Sequence, residues 1–62
     1  MAIYTRFGIE VEIVGYTPVD GGMAIVKFDH ESDSTDYRHI HELKADGGIA
    51  EIQTALKEHG YK

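Results

Sequence analysis

The chain has 62 residues, no cysteine and a formal net charge of −5, from 11 acidic and 6 basic side chains. That length allows one small domain, whose core contributes only about 3–5 kcal/mol of net stability. The lack of cysteine excludes a disulfide framework and a thiolate metal site. No apolar run approaches the ~18 residues of a membrane span, and the first residues do not resemble a signal peptide. We therefore expect a single cytoplasmic domain over residues 1–62.

The first predicted strand covers residues 9–16. From Ile9 onward, β-branched residues at every second position alternate with Glu10 and Glu12, and this period of two is typical of a half-buried strand. The apolar residues should face the core, whereas both glutamates should face water. A short strand or an ordered arm is expected just before this segment, at 3–6.

A turn over residues 17–22 is expected to join this strand to a second one at 23–29. Pro18 fixes its own φ and lacks a backbone donor, and the Asp20-Gly21 pair is strong turn chemistry. The second strand carries apolar residues on both faces at its start, which predicts a covered or strongly curved strand. Its more regular apolar face consists of Ala24, Val26 and Phe28.

The segment 30–36 contains no apolar residue and is predicted to be a solvated loop. An extended pattern resumes at 37–43, which predicts a third strand with Ile40 as its central core residue. A helix is expected at 47–59, with Asp46 or Gly48 as its N-terminal cap. The apolar residues of this helix recur at helical spacing, and they are Ile49, Ile52, Ala55 and Leu56. Gly60 stands where a left-handed C-terminal cap belongs.

This element order predicts a mainly β fold with a C-terminal helix (β-β-β-α), built on a strongly curved antiparallel sheet. The segment 8–14 (GIEVEIV), followed by a turn and 24–28 (AIVKF), resembles the glycine-led strand pair of SH3-like, Tudor-like and KOW-type barrels. The resemblance covers only this strand pair. It implies an SH3-like small β-barrel at the level of the fold, and it carries over no binding residues.

No nucleotide-binding, nucleophile or zinc-finger motif is present, so we expect neither an enzyme nor a cofactor. His39 and His41 are two residues apart on a predicted strand, so their side chains should share one face. Two imidazoles on one face could begin a metal site, completed by His30, by Asp29 or by an acid from the next loop. A metal-binding protein is therefore one alternative. The other is that both histidines are simply half-exposed beside Ile40.

The charge is concentrated in residues 7–36, where seven acidic residues face one lysine, a net charge of −6. These acids are the predicted partner-binding residues: Glu10, Glu12, Asp20, Asp29, Glu31, Asp33 and Asp36. Residues 37–62 are balanced. Direct nucleic-acid binding needs a basic stripe, which this sequence lacks.

An acidic face instead suits a basic protein surface, so the leading hypothesis is a non-catalytic protein–protein interaction module. A narrower hypothesis is a phage or mobile-element inhibitor that mimics nucleic acid. Such a protein would bind a nucleic-acid-binding protein, and it resembles anti-CRISPR proteins in size and charge. The surface acids could also serve solubility alone. A homodimer formed through a strand edge is a further possibility.

Overall fold

The computed structural model of the protein describes residues 2–29, 31 and 33–61. These residues form five strands and one α-helix: β1 (Ala2–Tyr4), β2 (Ile9–Thr17), β3 (Met23–Lys27), β4 (Asp36–His39), β5 (Leu43–Ala45) and α1 (Ile49–Lys57). Two short 3-10 turns lie between strands, at Val19–Gly21 and Ile40–Glu42. The predicted mainly β class with a C-terminal helix is confirmed.

The strands form one antiparallel sheet in the order β4-β3-β2-β1-β5. The end of β4 at His39 and the start of β5 at Leu43 therefore lie at opposite edges, although the chain between them is very short. Four residue steps span at most about 14 Å, whereas the edges of a flat five-stranded sheet lie about 19 Å apart. The sheet must therefore curl, and it forms a small half-barrel, as the predicted strong curvature requires.

The prediction of one strand over 37–43 is wrong, because a 3-10 turn divides this segment between the two edges of the sheet. The backbone N–H of His39 donates to the Glu42 carboxylate at 3.0 Å. A reciprocal bond from the Glu42 backbone to the His39 side chain completes a capping box. The side chains of His39 and Glu42 thus stabilise a turn, and Ile40 is half-buried against the core.

The predicted buried and exposed faces of the β2–β3 hairpin are largely confirmed. Val11 is buried and both glutamates of β2 are exposed, while on β3 the alternate residues Ala24 and Val26 are completely buried. Ile9, expected in the core, is 41% exposed at the start of β2. The register between β2 and β3 shifts between Ile13 and Gly15, which marks a bulge that bends the sheet.

The helix packs its apolar stripe on the concave face of the sheet. Ile52 and Leu56 are buried, and the core consists of Ala2, Tyr4, Val11, Ala24, Val26, Leu43, Ile52 and Leu56. The helix is shorter than the predicted 47–59 at both ends, with Gly48 as its N-terminal cap. Ile49, predicted as part of the stripe, is 55% exposed in the first turn.

The predicted glycine cap at the C-terminal end of α1 is confirmed. Gly60 has a φ of 100°, its N–H donates to the Lys57 carbonyl at 3.3 Å, and the N–H of Tyr61 donates to the Leu56 carbonyl at 3.1 Å. This pair of bonds is a Schellman motif. It turns Tyr61 back onto the core, where its ring meets that of Tyr16 edge to face at 5.2 Å.

Candidate interaction surface

All seven predicted partner-binding acids are exposed. Six of them belong to the same end of the β2–β3–β4 sheet, which we call the acidic end: Glu10, Glu12, Asp29, Glu31, Asp33 and Asp36. The sheet register places them together. Glu12 is opposite Lys27 near the end of β3, and Asp36 is opposite Val26 at the start of β4.

The loop between β3 and β4 supplies the other acids of this end. In it the N–H of Glu31 donates to the Asp29 carboxylate at 3.0 Å, forming an Asx turn. This bond orders the backbone while both side chains stay exposed. The acidic end is therefore built from strand ends and the loop between β3 and β4. Two basic side chains lie beside it, which are Lys27 and Arg38, whose guanidinium is 5.1 Å from the ring of Phe28.

Asp20 does not join the acidic end. It lies in the 3-10 turn between β2 and β3, at the opposite end of the hairpin, and its φ is 53°. The length of β3 alone, from Met23 to Lys27, separates the two ends by about 13 Å. Asp20 is also a turn residue, since an aspartate tolerates the left-handed region better than most side chains.

An apolar groove lies between β2 and α1, and the sequence reasoning did not identify it. Its volume is about 250 Å³, and it opens to solvent. Its lining residues are Ala2, Val11, Glu12, Ile13, Glu51, Ile52 and Ala55. The small side chain of Ala55 within the helical stripe was the one sequence signal for a shallow place in the packing.

The groove coincides with a step in the sheet. Ala2 of β1 is the partner of Val11 in β2, and β2 then continues to Thr17. Among the described residues, no strand pairs with β2 beyond Val11 on the side of β1. From β2, Val11, Glu12 and Ile13 line the groove at this place.

A second groove, of about 290 Å³, lies on the other side of α1. It runs between the helix and β5, and its lining residues are Leu43, Lys44, Ala45, Gly48, Ile49 and Ile52. The two grooves differ in charge, because the first has two glutamates among its lining residues and the second has Lys44.

Arg38 lies among aromatic rings near the β1–β2 turn. Its guanidinium carbon is 5.1 Å from the ring centres of both Tyr4 and Phe28, and Nη1 donates to the Tyr37 carbonyl at 2.7 Å. Its buried Nε has no hydrogen-bond partner in the structure. The protein's own cation thus occupies this aromatic site, which therefore contributes to packing between β4 and the core.

His39 and His41 do come together, with ring centres 5.3 Å apart and planes 15° from parallel. The part of the chain that the structure describes contains no group of three or more side chains suited to hold a metal ion. His30, one of the predicted third ligands, lies outside the described residues. The structure thus brings the two predicted histidine rings together, and they stack on each other.

Comparison with known proteins gives no relatives: no family model matches the chain, and neither a curated protein nor a solved structure is similar to it. Within the described residues, no helix has the length and apolar character that crossing a bilayer requires. Function must therefore be argued from this chain's own geometry and charge.

Proposed function

We propose that the protein is a non-catalytic interaction module that binds a basic surface of a partner protein through its acidic end. The observation that carries the proposal is the exposure, at one end of the sheet, of six carboxylates, which outnumber the basic side chains of Lys27 and Arg38 beside them. The half-barrel with its C-terminal helix is compatible with an SH3-like small barrel, and we include that assignment in the proposal. Such barrels commonly serve as scaffolds for loops that bind other molecules.

The physical advantage of the acidic end lies in the rate at which the partner associates. A surface of one sign steers an oppositely charged partner, and steering of this kind raises association rates by about 10–10³-fold at low salt. Because exposed charges are screened within about 10 Å at 0.1 M salt, binding should weaken steeply as salt is added. The carboxylates lie outside the buried core. Asp29 accepts the N–H of Glu31 and is best kept, whereas replacing Glu10, Glu31 or Asp33 should leave the fold intact.

The test compares two triple charge reversals that change the net charge equally. One variant carries Glu10→Lys, Glu31→Lys and Asp33→Lys in the acidic end, and it keeps the Asp29 carboxylate that accepts the Glu31 N–H. Its matched control carries three reversals at exposed positions elsewhere, which are Asp20→Lys, Asp46→Lys and Glu58→Lys. Pull-downs from the native cell, repeated at rising salt, should lose the bound proteins with the first variant and retain them with the second. Equal binding by both variants would contradict the proposal.

A narrower form of the proposal is a partner that itself binds nucleic acid, so that the acidic end mimics phosphates. It predicts that the protein displaces DNA or RNA from that partner in a competition assay, and that the variant with Glu10→Lys, Glu31→Lys and Asp33→Lys does not. Capture of basic proteins without displacement of nucleic acid would support the general proposal and exclude the mimic.

A further inference from the structure

We propose that two copies of the protein form a symmetric dimer, in which β4 of one copy pairs antiparallel with β4 of the other and Tyr37 lies opposite Tyr37 of the second copy. This inference goes beyond the proposed function, because the occupant of the surface is this chain itself. β4 (Asp36–His39) is an edge of the sheet, and among the described residues it pairs with β3 alone. A strand edge presents unpaired backbone groups that can pair with another chain.

The fold leaves this edge accessible. The main contacts of α1 are with β2 and β5, so the helix lies away from β4. Tyr37 is 52% exposed, and its cross-strand neighbour Ile25 is only partly buried. Both residues belong to the outer face of the sheet, because the alternate residues of β3, Ala24 and Val26, point into the core. A second strand beside β4 would cover the exposed ring of Tyr37.

The charges of β4 select one register for such a pair. Residues directly opposite each other in an antiparallel pair share a face, and successive residues alternate between faces, so the two-fold axis must place one residue opposite itself. An axis at Asp36 or at Arg38 places like charges opposite each other, which destabilises the pair. An axis at His39 overlaps only the end of β4, where the chain enters a 3-10 turn.

An axis at Tyr37 gives the complementary arrangement. Asp36 of each copy then lies opposite Arg38 of the other, so two pairs of opposite charges form on the inner face. The two Tyr37 rings lie opposite each other on the outer face. Pairs of opposite charge and aromatic pairs are both favourable across antiparallel strands. The segment Asp36-Tyr37-Arg38 is thus complementary to itself when it runs in the opposite direction.

Arg38 has the capacity to bind this carboxylate. Its Nη1 donates to the Tyr37 carbonyl, and its buried Nε has no hydrogen-bond partner. Among the described residues, no carboxylate pairs with Arg38 within one copy. A guanidinium carries five N–H donors, and the faces of its plane, rather than its donors, contact aromatic rings. Asp36 is exposed and can therefore approach from a second copy.

The other edge of the sheet does not offer the same pairing. β5 (Leu43–Ala45) has only three residues, and an axis at its centre places Lys44 opposite itself. Pairing of β4 with β5 of another copy would leave free edges and continue into open chains. The β4 pair is closed instead. Because its strands are antiparallel, the two acidic ends lie at opposite ends of the shared sheet, and Glu10, Glu31 and Asp33 stay exposed for the proposed partner.

We expect a weak dimer, because pairing along four residues gives an interface below the ~1,000 Å² of stable complexes. Sedimentation equilibrium of the full chain from about 0.05 to 2 mM should show the mass rising towards two copies, with a dissociation constant on the order of 0.1–1 mM. Asp36→Lys turns both attractive pairs repulsive and should raise this constant about tenfold. The matched control Glu58→Lys makes the same change of net charge at an exposed position of the helix end and should dimerise at least as well as the natural chain.

A mixing experiment tests the register itself. Asp36→Lys and Arg38→Glu each place like charges opposite each other in their own dimers. A mixed dimer of these two variants again has opposite charges at both positions, so mixing them should restore the association of the natural chain. Circular dichroism establishes that both variants fold. If Arg38→Glu does not fold, NMR of the natural chain takes its place: dilution should shift the amide signals of Tyr37 and His39 and leave that of Lys44 unchanged.

A monomer at every concentration, equal dimerisation of Asp36→Lys and Glu58→Lys, or dilution shifts at Lys44 instead of Tyr37 would overturn the inference. Mixing two folded variants without any gain in association would overturn it as well. The reversals that test the proposed function keep Asp36, so the two ideas fail separately. A monomer that loses its bound proteins through those reversals leaves the proposed function standing alone. A dimer whose pull-down ignores them supports the dimer and contradicts the proposed function.

Discussion

The Schellman motif at Gly60 allows a test in which mirror-image residues have opposite effects on stability. A β-carbon added at Gly60 in the L configuration meets no atom within 4 Å, so space does not oppose it. The φ of 100° does oppose it, because L residues rarely adopt this region. The left-handed conformation costs an L residue about 1–2 kcal/mol. A D residue is suited to positive φ, and it reduces the freedom of the unfolded chain.

Gly60→Ala should therefore lower the free energy of unfolding by about 1–2 kcal/mol. Gly60→D-Ala, accessible by chemical synthesis of this short chain, should raise it by about 0.4–1 kcal/mol. A domain of this length has about 3–9 kcal/mol of stability in total, so both changes are measurable. Urea unfolding followed by far-UV circular dichroism, with a slope near 1 kcal/mol/M, should separate the two midpoints by about 1–3 M.

The same comparison examines the role of Tyr61, the residue after Gly60. If the strained variant frees Tyr61 from the core, the edge-to-face contact with Tyr16 is also lost, which adds about 0.5–1.5 kcal/mol. A Tyr61→Ala variant measures that contribution separately. Equal unfolding midpoints for the L and D variants would refute the reasoning, because handedness at Gly60 would then have no effect on the helix end.

Three further tests, with five substitutions in all, examine the half-barrel, and each is measured by urea or thermal unfolding. Leu56→Ala, at a completely buried position, should cost about 2–5 kcal/mol, whereas Ile49→Ala at an exposed position should change stability by about 0.5 kcal/mol or less. Glu42→Ala removes the carboxylate that accepts a backbone N–H in the second 3-10 turn and should cost about 1 kcal/mol; no loss would mean that this turn does not need its cap. Gly15→Ala brings a β-carbon to 3.1 Å from Cδ1 of Ile25 and should destabilise the protein. Ile25→Val, which removes that methyl group, should restore part of the loss, and purely additive effects would contradict the contact.

The features that could be predicted from the sequence are those set by neighbours in the chain. Alternation placed both glutamates of β2 in water and Val11 in the core, and a glycine after an apolar stripe identified the end of α1. The burial of Ile9 and Ile49 was predicted wrongly because periodicity gives the face of an element but not how far the covering element extends. Both residues lie at an end of their element, where covering by the rest of the fold is incomplete.

The curl of the half-barrel explains the larger error at 37–43. In isolation this segment alternates well enough for a strand, but the ends of β4 and β5 pair with different strands, and the chain can join them only through a tight turn. The groove escaped prediction for a similar reason. Its lining combines residues of β1, β2 and α1, and that combination is not local in sequence.

The side chains of the acidic end and those of the core belong to different residues. Because of this separation, the functional proposals can be tested in so small a domain. The core contains no buried charged side chain among the described residues, and the six carboxylates are all exposed. Reversing them changes long-range electrostatics, and surface substitutions of this kind usually alter stability by about 0.5 kcal/mol or less. The groove is different, because Ile52 belongs to both its lining and the core. A substitution at Ile52 would therefore change the groove and the core together. Ala55, which lines the groove and is only partly buried, is the position at which the groove can be filled while the core stays intact.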